Sequence, residues 1–374
     1  MAFPPPERGD WEYCRAMLPR VSRTFAINIR VLGGRLASSV RIAYLLCRVC
    51  DALEDSWPGS PDEMRARFAR FDEAVAGDDR AAAELAEAAR AVALGREDLM
   101  LLAHLPAVLR CLGALEPGER QAVADCLAVM SRGMCHYAAR DASRALSASQ
   151  ALGVSHALGA ARAAASHGAR APGPPDRAYL ETEAELHDYC WVVAGCVGVM
   201  LTRLFALEAG DTDDAGANGI EHDDAGRLAR APEMGEALQL TNILLDWPSD
   251  LRRGRCFIPA EWLAESRLEP RDLVGAPRAG QRELADRLER LARRALAVVP
   301  EYLERVPRAA RRYRLFCLWP ALWAAASIDR ARLDPEFPWG ARRPRLSRSR
   351  LWSLAAGSAL APGAFNRAFR PPAT

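Results

Sequence analysis

The stretch Tyr44–Trp57, YLLCRVCDALEDSW, places Arg48, Asp51, Glu54 and Asp55 behind an apolar run. Asp51 and Asp55 are four residues apart, so on a helix their carboxylates leave one face. Arg48 is three residues before Asp51, and Tyr44 is one turn further back. The four residues therefore share a stripe on a helix otherwise built for burial. Like charges at this spacing cost an isolated helix roughly 0.2–0.5 kcal/mol. Against an apolar wall they cost more, unless a cation sits between them. Carboxylates with incomplete coordination suit Mg²⁺, which keeps waters and accepts phosphate oxygens. Taken alone, the stripe favours a solvated acidic face over a site for a metal and an anion. Glu54 is open between a supporting position and the helix surface.

The helical spacing of this stretch recurs along the chain. Ala, Leu, Arg and Glu dominate, with apolar residues three and four apart, and alternating strand patterns are absent. The pattern predicts helices at 35–54, 63–76, 80–93, 97–112, 118–140, 181–207, 225–246, 280–296, 297–305 and 309–333. This is an all-α chain of many helices, larger than a four-helix bundle. One domain is expected over 1–337. Residues 142–178, rich in Ala, Ser and Gly, read as an insertion or mobile loop within it. Residues 209–224 read as an acidic surface connection. The Arg- and Pro-rich segment 338–374 reads as a loosely packed tail.

Length and composition bound the function. The chain has 374 residues, half of them hydrophobic and 7% aromatic, with a formal charge of +2. Near-neutrality removes the electrostatic case for nucleic-acid binding. All 50 basic residues are Arg, so any phosphate recognition uses guanidinium groups, which bind bidentately. The 10 Cys are scattered, mostly in apolar runs, and read as buried reduced thiols. Neither the Cys47–Cys50 pair nor the six His form a structural-metal pattern. The opening MAFPPPERGDWEYC is not a signal peptide. The apolar runs 189–207 and 315–328 are, respectively, broken by Arg203 and too short to span a bilayer. A cytoplasmic protein is expected.

A second stripe lies in QLTNILLDWPSDLRRGRCFIP, Gln239–Pro259. Asn242, Asp246 and Asp250 follow one another at four-residue spacing, and Arg252, Arg253 and Arg255 come directly after. Acids that hold cations, backed by guanidinium groups, suit a diphosphate bridged by metal ions. The bland alternative is a surface helix end with ordinary salt bridges. Pro248 lacks an amide donor and crowds the carbonyl of Leu244, so the helix is expected to kink or end there. Two such stripes on long apolar helices suggest two walls of one cavity around a bound polyanion.

Here the sequence resembles the squalene/phytoene synthase family of head-to-head prenyl transferases. SRTFAINIRVL (Ser22–Leu32) looks like the family's N-terminal segment. YLLCRVCDALED (Tyr44–Asp55) matches its first aspartate-rich motif, and NILLDWPSDLRRGRCFIP its second. YCWVVAGCVGVMLTRLF (Tyr189–Phe205) and LFCLWPALWAAASI (315–328) are similar to segments of squalene synthases. The resemblance runs from about residue 15 to 330. It implies the isoprenoid synthase fold, a many-helix bundle around a central apolar cavity. It also implies that Asp51, Asp55, Asp246 and Asp250, assisted by Asn242, bind Mg²⁺. Ser22, Arg23, Arg48 and Arg255, with Arg252 or Arg253, would contact phosphate oxygens, and Tyr44 would line the same site. Tyr189 would transfer a proton or stabilise a cation beside the departing diphosphate. Ala194, Gly195 and Gly198 would leave room for prenyl chains or, equally, allow close helix packing. Leu245 and Ser249 stand where the second motif commonly has a basic residue and a Glu, and Pro248 where Gly is common.

The resemblance leads to a squalene synthase. Such an enzyme joins two farnesyl diphosphates through presqualene diphosphate and reduces the product with NADPH. The chain has no Gly-rich dinucleotide fingerprint, so NADPH would rest at the Arg-lined mouth. The alternatives are a phytoene or dehydrosqualene synthase without reductant, or a presqualene diphosphate synthase. A third is a prenyl-diphosphate-binding homologue of little activity, an idea fed by Pro248 and Ser249. A monomer that meets a membrane surface to release its product is expected.

Overall fold

A computed structural model describes residues 3–57, 59–151, 175–210, 224–340, 342–360 and 362–369. Most of the insertion at 142–178 and of the acidic connection at 209–224 lies outside them. Among the described residues every regular element is helical. The chain divides into two compact units, Met1–Arg170 with Arg203–Ala215, and Ala171–Thr202 with Gly216–Thr374.

The first unit opens with two helices that the sequence reading missed, α1 (Arg8–Val21) and α2 (Arg23–Val31). Ser22 separates them with extended backbone, and its hydroxyl accepts the Phe25 amide at 3.3 Å, which starts α2. Then come α3 (Gly34–Asp51), a π-helical turn (Ala52–Ser56), α4 (Pro61–Val75) and α5 (Asp79–Val92). The single helix expected at 97–112 is two, α6 (Glu97–Leu102) and α7 (Leu105–Gly113). Pro106, in the first turn of α7, explains the break, because it has no amide to bond the Leu102 carbonyl and its ring crowds that carbonyl. Helix α8 (Pro117–Ala151) closes the series. Asp10 of α1 takes two bonds from Arg110 of α7, at 2.8 and 2.7 Å. Arg35 of α3 meets the buried carboxylate of Glu119 on α8 at 3.0 Å.

The second unit holds α9 (Glu183–Cys190), another π-helical turn (Trp191–Gly195) and the start of α10 (Cys196–Gly210). By length and composition Glu183–Ala209 could cross a membrane, although 44% of its apolar window is buried within the protein. Next comes α11 (Asp224–Arg252), which runs unbroken through Pro232 and Pro248. The expected stop at Pro248 is therefore not made. The Pro248 ring is buried, and Ser249 Oγ donates to the Asp246 carbonyl at 2.7 Å. Core packing and this local bond hold the turn where the missing amide would have broken it. Helices α12 (Ala260–Ser266), α13 (Gln281–Leu296), α14 (Val299–Glu304) and α15 (Arg311–Arg332) follow. The segment expected to be a loose tail instead carries α16 (Arg348–Leu360), with Leu354, Ala355 and Ser358 buried. Trp319 and Trp323 of α15 donate to Ser358 Oγ and the Leu351 carbonyl, at 3.1 and 3.3 Å.

All ten cysteines are free, and eight of them, including Cys47 and Cys50, are buried, as reduced core thiols would be. Of the two roles left open for the small residues near Tyr189, close packing is the one observed. A Cβ on Gly235 would collide with the Ala194 carbonyl, and one on Gly198 with the Ala231 carbonyl. The backbones of α11 and the 194–198 segment thus touch. Gly235→Ala should lower unfolding stability by about 1–3 kcal/mol in urea titration. Gly9→Ala, in open space on α1, should lose none.

Candidate active site

In the first unit, Arg41, Tyr44, Arg48, Asp51 and Asp55 are the residues between Ser39 and Trp57 that are not buried. They follow one another at intervals of three or four, so the polar stripe read from the sequence is the one open line on this helix. Glu54 is buried at 5% exposure, which removes it from the helix surface. The carboxylate of Asp51 receives Arg48 Nη1 at 2.6 Å, and both side chains are about 30% exposed (32% and 29%). The Arg48 pKa is raised, first by the Asp51 charge, with Asp55 and Asp98 adding to it. The Tyr44 ring packs 5.1 Å from Phe25 of α2. Burial pushes the Tyr44 phenol up to about 12, against a smaller opposing effect of its hydrogen bond with Ser22. Ser22, Tyr44, Arg48 and Asp51 therefore meet as expected, whereas Arg23 is exposed at the start of α2.

Directly after Asp51 the helix widens into its π turn, where the Trp57 amide reaches back five residues to the Ala52 carbonyl at 3.1 Å. Such turns often sit at functional sites. This one carries Asp55, and it sends Ser56 to the carboxylate of Asp98 on α6. Asp98 and Ser56 were missed because their link to Arg48 depends on packing between helices 42 residues apart in sequence.

The second unit repeats the pattern. From Leu240 to Leu251, only Asn242, Asp246, Ser249 and Asp250 escape burial. Leu245 is 2% exposed and faces the core. Ser249, which stands where the family commonly has a Glu, places its Oγ 3.4 Å from Asp246 Oδ1. After Arg252 the chain turns sharply. The amides of Arg253 and Arg255 both reach the Asp250 carbonyl, at 3.0 and 2.9 Å, and Gly254 takes φ +84°. That backbone conformation suits Gly best. Arg252 and Arg253 stay exposed, with the Arg253 guanidinium 3.7 Å from the Asp250 carboxylate.

Arg255 points elsewhere, 5.4 Å from the centre of the Tyr179 ring. Tyr179, Tyr189 and Phe257 form an aromatic cluster, with Tyr189 stacked on Phe257 at 5.1 Å and edge-on to Tyr179 at 5.8 Å. The Tyr179 amide donates to the Cys256 carbonyl at 2.7 Å. Tyr189 is the next-to-last residue of α9, two residues before the second π turn. The turn after α11 thus brings together Asp250, Arg255 and Tyr189, expected from sequence, with Tyr179 and Phe257, which were not. Both missed aromatics flank motifs, Phe257 two residues after Arg255 and Tyr179 ten before Tyr189.

A further missed residue comes from the C-terminal segment. Arg343 Nη1 lies 2.8 and 2.7 Å from the two carboxylate oxygens of Asp246. The two acidic stripes belong to different units, Asp51 and Asp55 to the first and Asp246 and Asp250 to the second. Among the described residues no three His, Cys, Asp or Glu side chains gather into a ready-made metal cage. The donors still fit Mg²⁺, which binds through one or two carboxylates and fills its shell with waters and phosphate oxygens. The leading acid of each stripe is half-buried and paired with a guanidinium.

The chain is thus all-α, with acidic stripes on two helices, each followed or accompanied by Arg. The squalene/phytoene synthase family model matches residues 18–350, and the chain belongs to that family. A phytoene synthase of Thermus thermophilus is 41% identical over 115 residues, 30% of this chain and 34% of that protein. A squalene synthase of Eremothecium gossypii is 28% identical over 253 residues, 68% of this chain and 47% of that protein. The matches thus span between about a third and a half of these relatives' own lengths. The structure of TcSQS with BPH1237 superposes with a TM-score of 0.68 at 19% identity, covering 96% of this chain and 89% of that one. A dehydrosqualene synthase in complex with ligand gives 0.56 at 19% identity, covering 94% and 95%. At such identities the likeness is one of fold, the isoprenoid synthase fold.

The Tyr44 phenol has a checkable consequence. Its pKa is raised from 10.0 to about 12, so the folded protein keeps a proton that the unfolded chain has lost in that range. Stability from this group is complete below pH 10 and is lost as pH rises towards 12. Tyr44→Phe should therefore flatten the fall of the denaturation midpoint between pH 10 and 11.5 by up to about one linked proton.

Proposed function

We propose that this chain joins two farnesyl diphosphate molecules head to head through presqualene diphosphate and reduces the product to squalene with NADPH. One observation carries the reading: over 39–57 and 240–251 two helices are buried on all sides except a line of acids and their partners. A buried helix keeps charge on such a line when something charged docks there. Asp51 and Asp55, and Asp246 and Asp250 with Asn242, would hold Mg²⁺. When bound, Mg²⁺ supplies the positive charge that stabilises a departing diphosphate. Ser22, Arg23, Arg48 and Arg255 meet phosphate oxygens, and Arg is suited to that by its planar fork of donors. Arg252 and Arg253, exposed beside Asp250, extend the same basic mouth and are where NADPH would rest. Tyr189, 5% exposed and stacked on Phe257, offers a π face to a developing carbocation in surroundings that exclude water.

A second reading is favoured by the relatives, which include phytoene as well as squalene synthases. It is condensation without a reductant, giving phytoene or dehydrosqualene, or stopping at presqualene diphosphate. Purified protein incubated with Mg²⁺ and farnesyl diphosphate should give squalene with NADPH, and presqualene diphosphate without it. A C40 hydrocarbon from geranylgeranyl diphosphate, or no dependence on NADPH, would favour the second reading. Asp51→Asn and Asp246→Asn should each cost about 10²–10³ in turnover, the usual scale for losing one electrostatic stabiliser. Unchanged circular dichroism would show that folding is intact.

The product of either reading is a hydrocarbon, and release at an anionic lipid surface is part of the proposal. It is supported by α16, where Arg348, Trp352, Ala356 and Leu360 share the outward face. Trp352 is 56% and Leu360 88% exposed. Residues 338–374 contain seven Arg and no acid. Basic segments with outward Trp and Leu suit the interface of a charged bilayer. The protein should co-sediment with phosphatidylglycerol vesicles and not with phosphatidylcholine vesicles, and Trp352→Ser should weaken the binding several-fold. Equal recovery on both lipids, or on neither, would remove this element.

A further inference from the structure

The contact between Arg343 and Asp246 crosses 97 residues of sequence to neutralise an acid that the functional reading assigns to a cation. Arg343 lies on a strap of irregular backbone, residues 342–347, that comes after Trp339. The strap is fastened at both ends. Before it, the Trp339 carbonyl accepts the Gly275 amide at 3.0 Å, and the Arg282 guanidinium lies 5.0 Å from the Trp339 ring. Within it Pro344 is buried, and beyond it α16 is held by Trp319 and Trp323. The side chain between these anchors is 33% exposed, and its Asp246 partner 26%. Arg343 therefore can leave Asp246 without unwinding a helix.

We propose that Arg343 is a built-in competitor for the cation at Asp246. In the unloaded protein its guanidinium neutralises the carboxylate, and a divalent ion entering the second stripe displaces it and loosens the strap. A single nitrogen sits close to both carboxylate oxygens, so a cation approaching either one meets a fixed positive charge. A guanidinium does not lose its proton in this range, so the competition is relieved only by movement. The first stripe behaves differently. There Arg48 is three residues from Asp51 on the same buried helix, with no strap to carry it away.

This inference rests on the reading of Asp246 as a cation ligand, and the test separates the two. Mn²⁺ binding to the full chain is measured by electron paramagnetic resonance and calorimetry, with amide exchange followed over 339–347. Relief of a partly exposed ion pair corresponds to a gain in affinity of up to about fivefold. Arg343→Gln should bind Mn²⁺ that much more tightly, Arg343→Lys less so, and Arg345→Gln, an exposed neighbour, should match the wild type. Mn²⁺ should speed exchange in the wild-type strap. If Arg343→Gln binds no better while Asp246→Asn binds worse, the competitor role is wrong and the cation reading stands. If Asp246→Asn binds Mn²⁺ as the wild type does, both fall. Should Arg343→Gln fail to fold, unchanged strap exchange in wild-type protein with Mn²⁺ overturns the proposal by itself.

Discussion

A carboxylate set into a buried helix must find positive charge or water, because burial of an unpaired ion costs more than most helices can supply. Helix α3 and helix α11 both meet that constraint along one line. On α3 the line is Arg41, Tyr44, Arg48, Asp51 and Asp55, and on α11 it is Asn242, Asp246, Ser249 and Asp250. Everything else on these faces is packed. Arg48 and Arg343 supply the neutralising charge to the leading acid of each. Conformational freedom is low where it matters, since both helices are clamped by core contacts. A charged ligand would thus meet acids already held in place by their helices, which keeps reorganisation on those helices small.

Two local departures from regular helix accompany these stripes. The π turn at Ala52–Ser56 follows directly after Asp51, and that at Trp191–Gly195 begins two residues after Tyr189. Each widens the backbone by one residue beside a side chain assigned to chemistry. The turn after Arg252 does comparable positioning by other means, using Gly254 to swing Arg255 onto the aromatic cluster. Asp51, Asp55 and Arg255 thus sit at or beside interruptions of regular helix, whereas Asn242, Asp246 and Asp250 line an unbroken one.

The helical class and both stripes were legible in the sequence, because burial and a 3.6-residue period leave a one-dimensional trace. So was the partition between them: the residues read as a polar line on α3 are the ones left open by packing. The misreadings have specific causes. Pro248 argued for a helix end, yet its buried ring and the Ser249 bond carry the helix to Arg252. Ala194, Gly195 and Gly198 fit either a cavity or a close crossing, and only the facing backbone at Ala231 and Gly235 decided between them. An arginine- and proline-rich composition hid α16, whose helical character depends on the tryptophans of α15. Asp98, Tyr179, Phe257 and Arg343 left little trace, since their roles come from tertiary contacts with distant motifs. Glu54, open in the sequence, is settled as a buried acid.

The central claim is that the two acidic stripes are cation sites for one diphosphate chemistry. It is tested most directly by crystals grown with Mn²⁺ and an unreactive farnesyl thiodiphosphate, with data collected at the manganese edge. The account expects anomalous peaks within coordination distance of Asp51 or Asp55 and of Asp246 or Asp250, with phosphate oxygens completing their shells. Peaks at other acidic residues, or a bound analogue that leaves both stripes without metal, would contradict it.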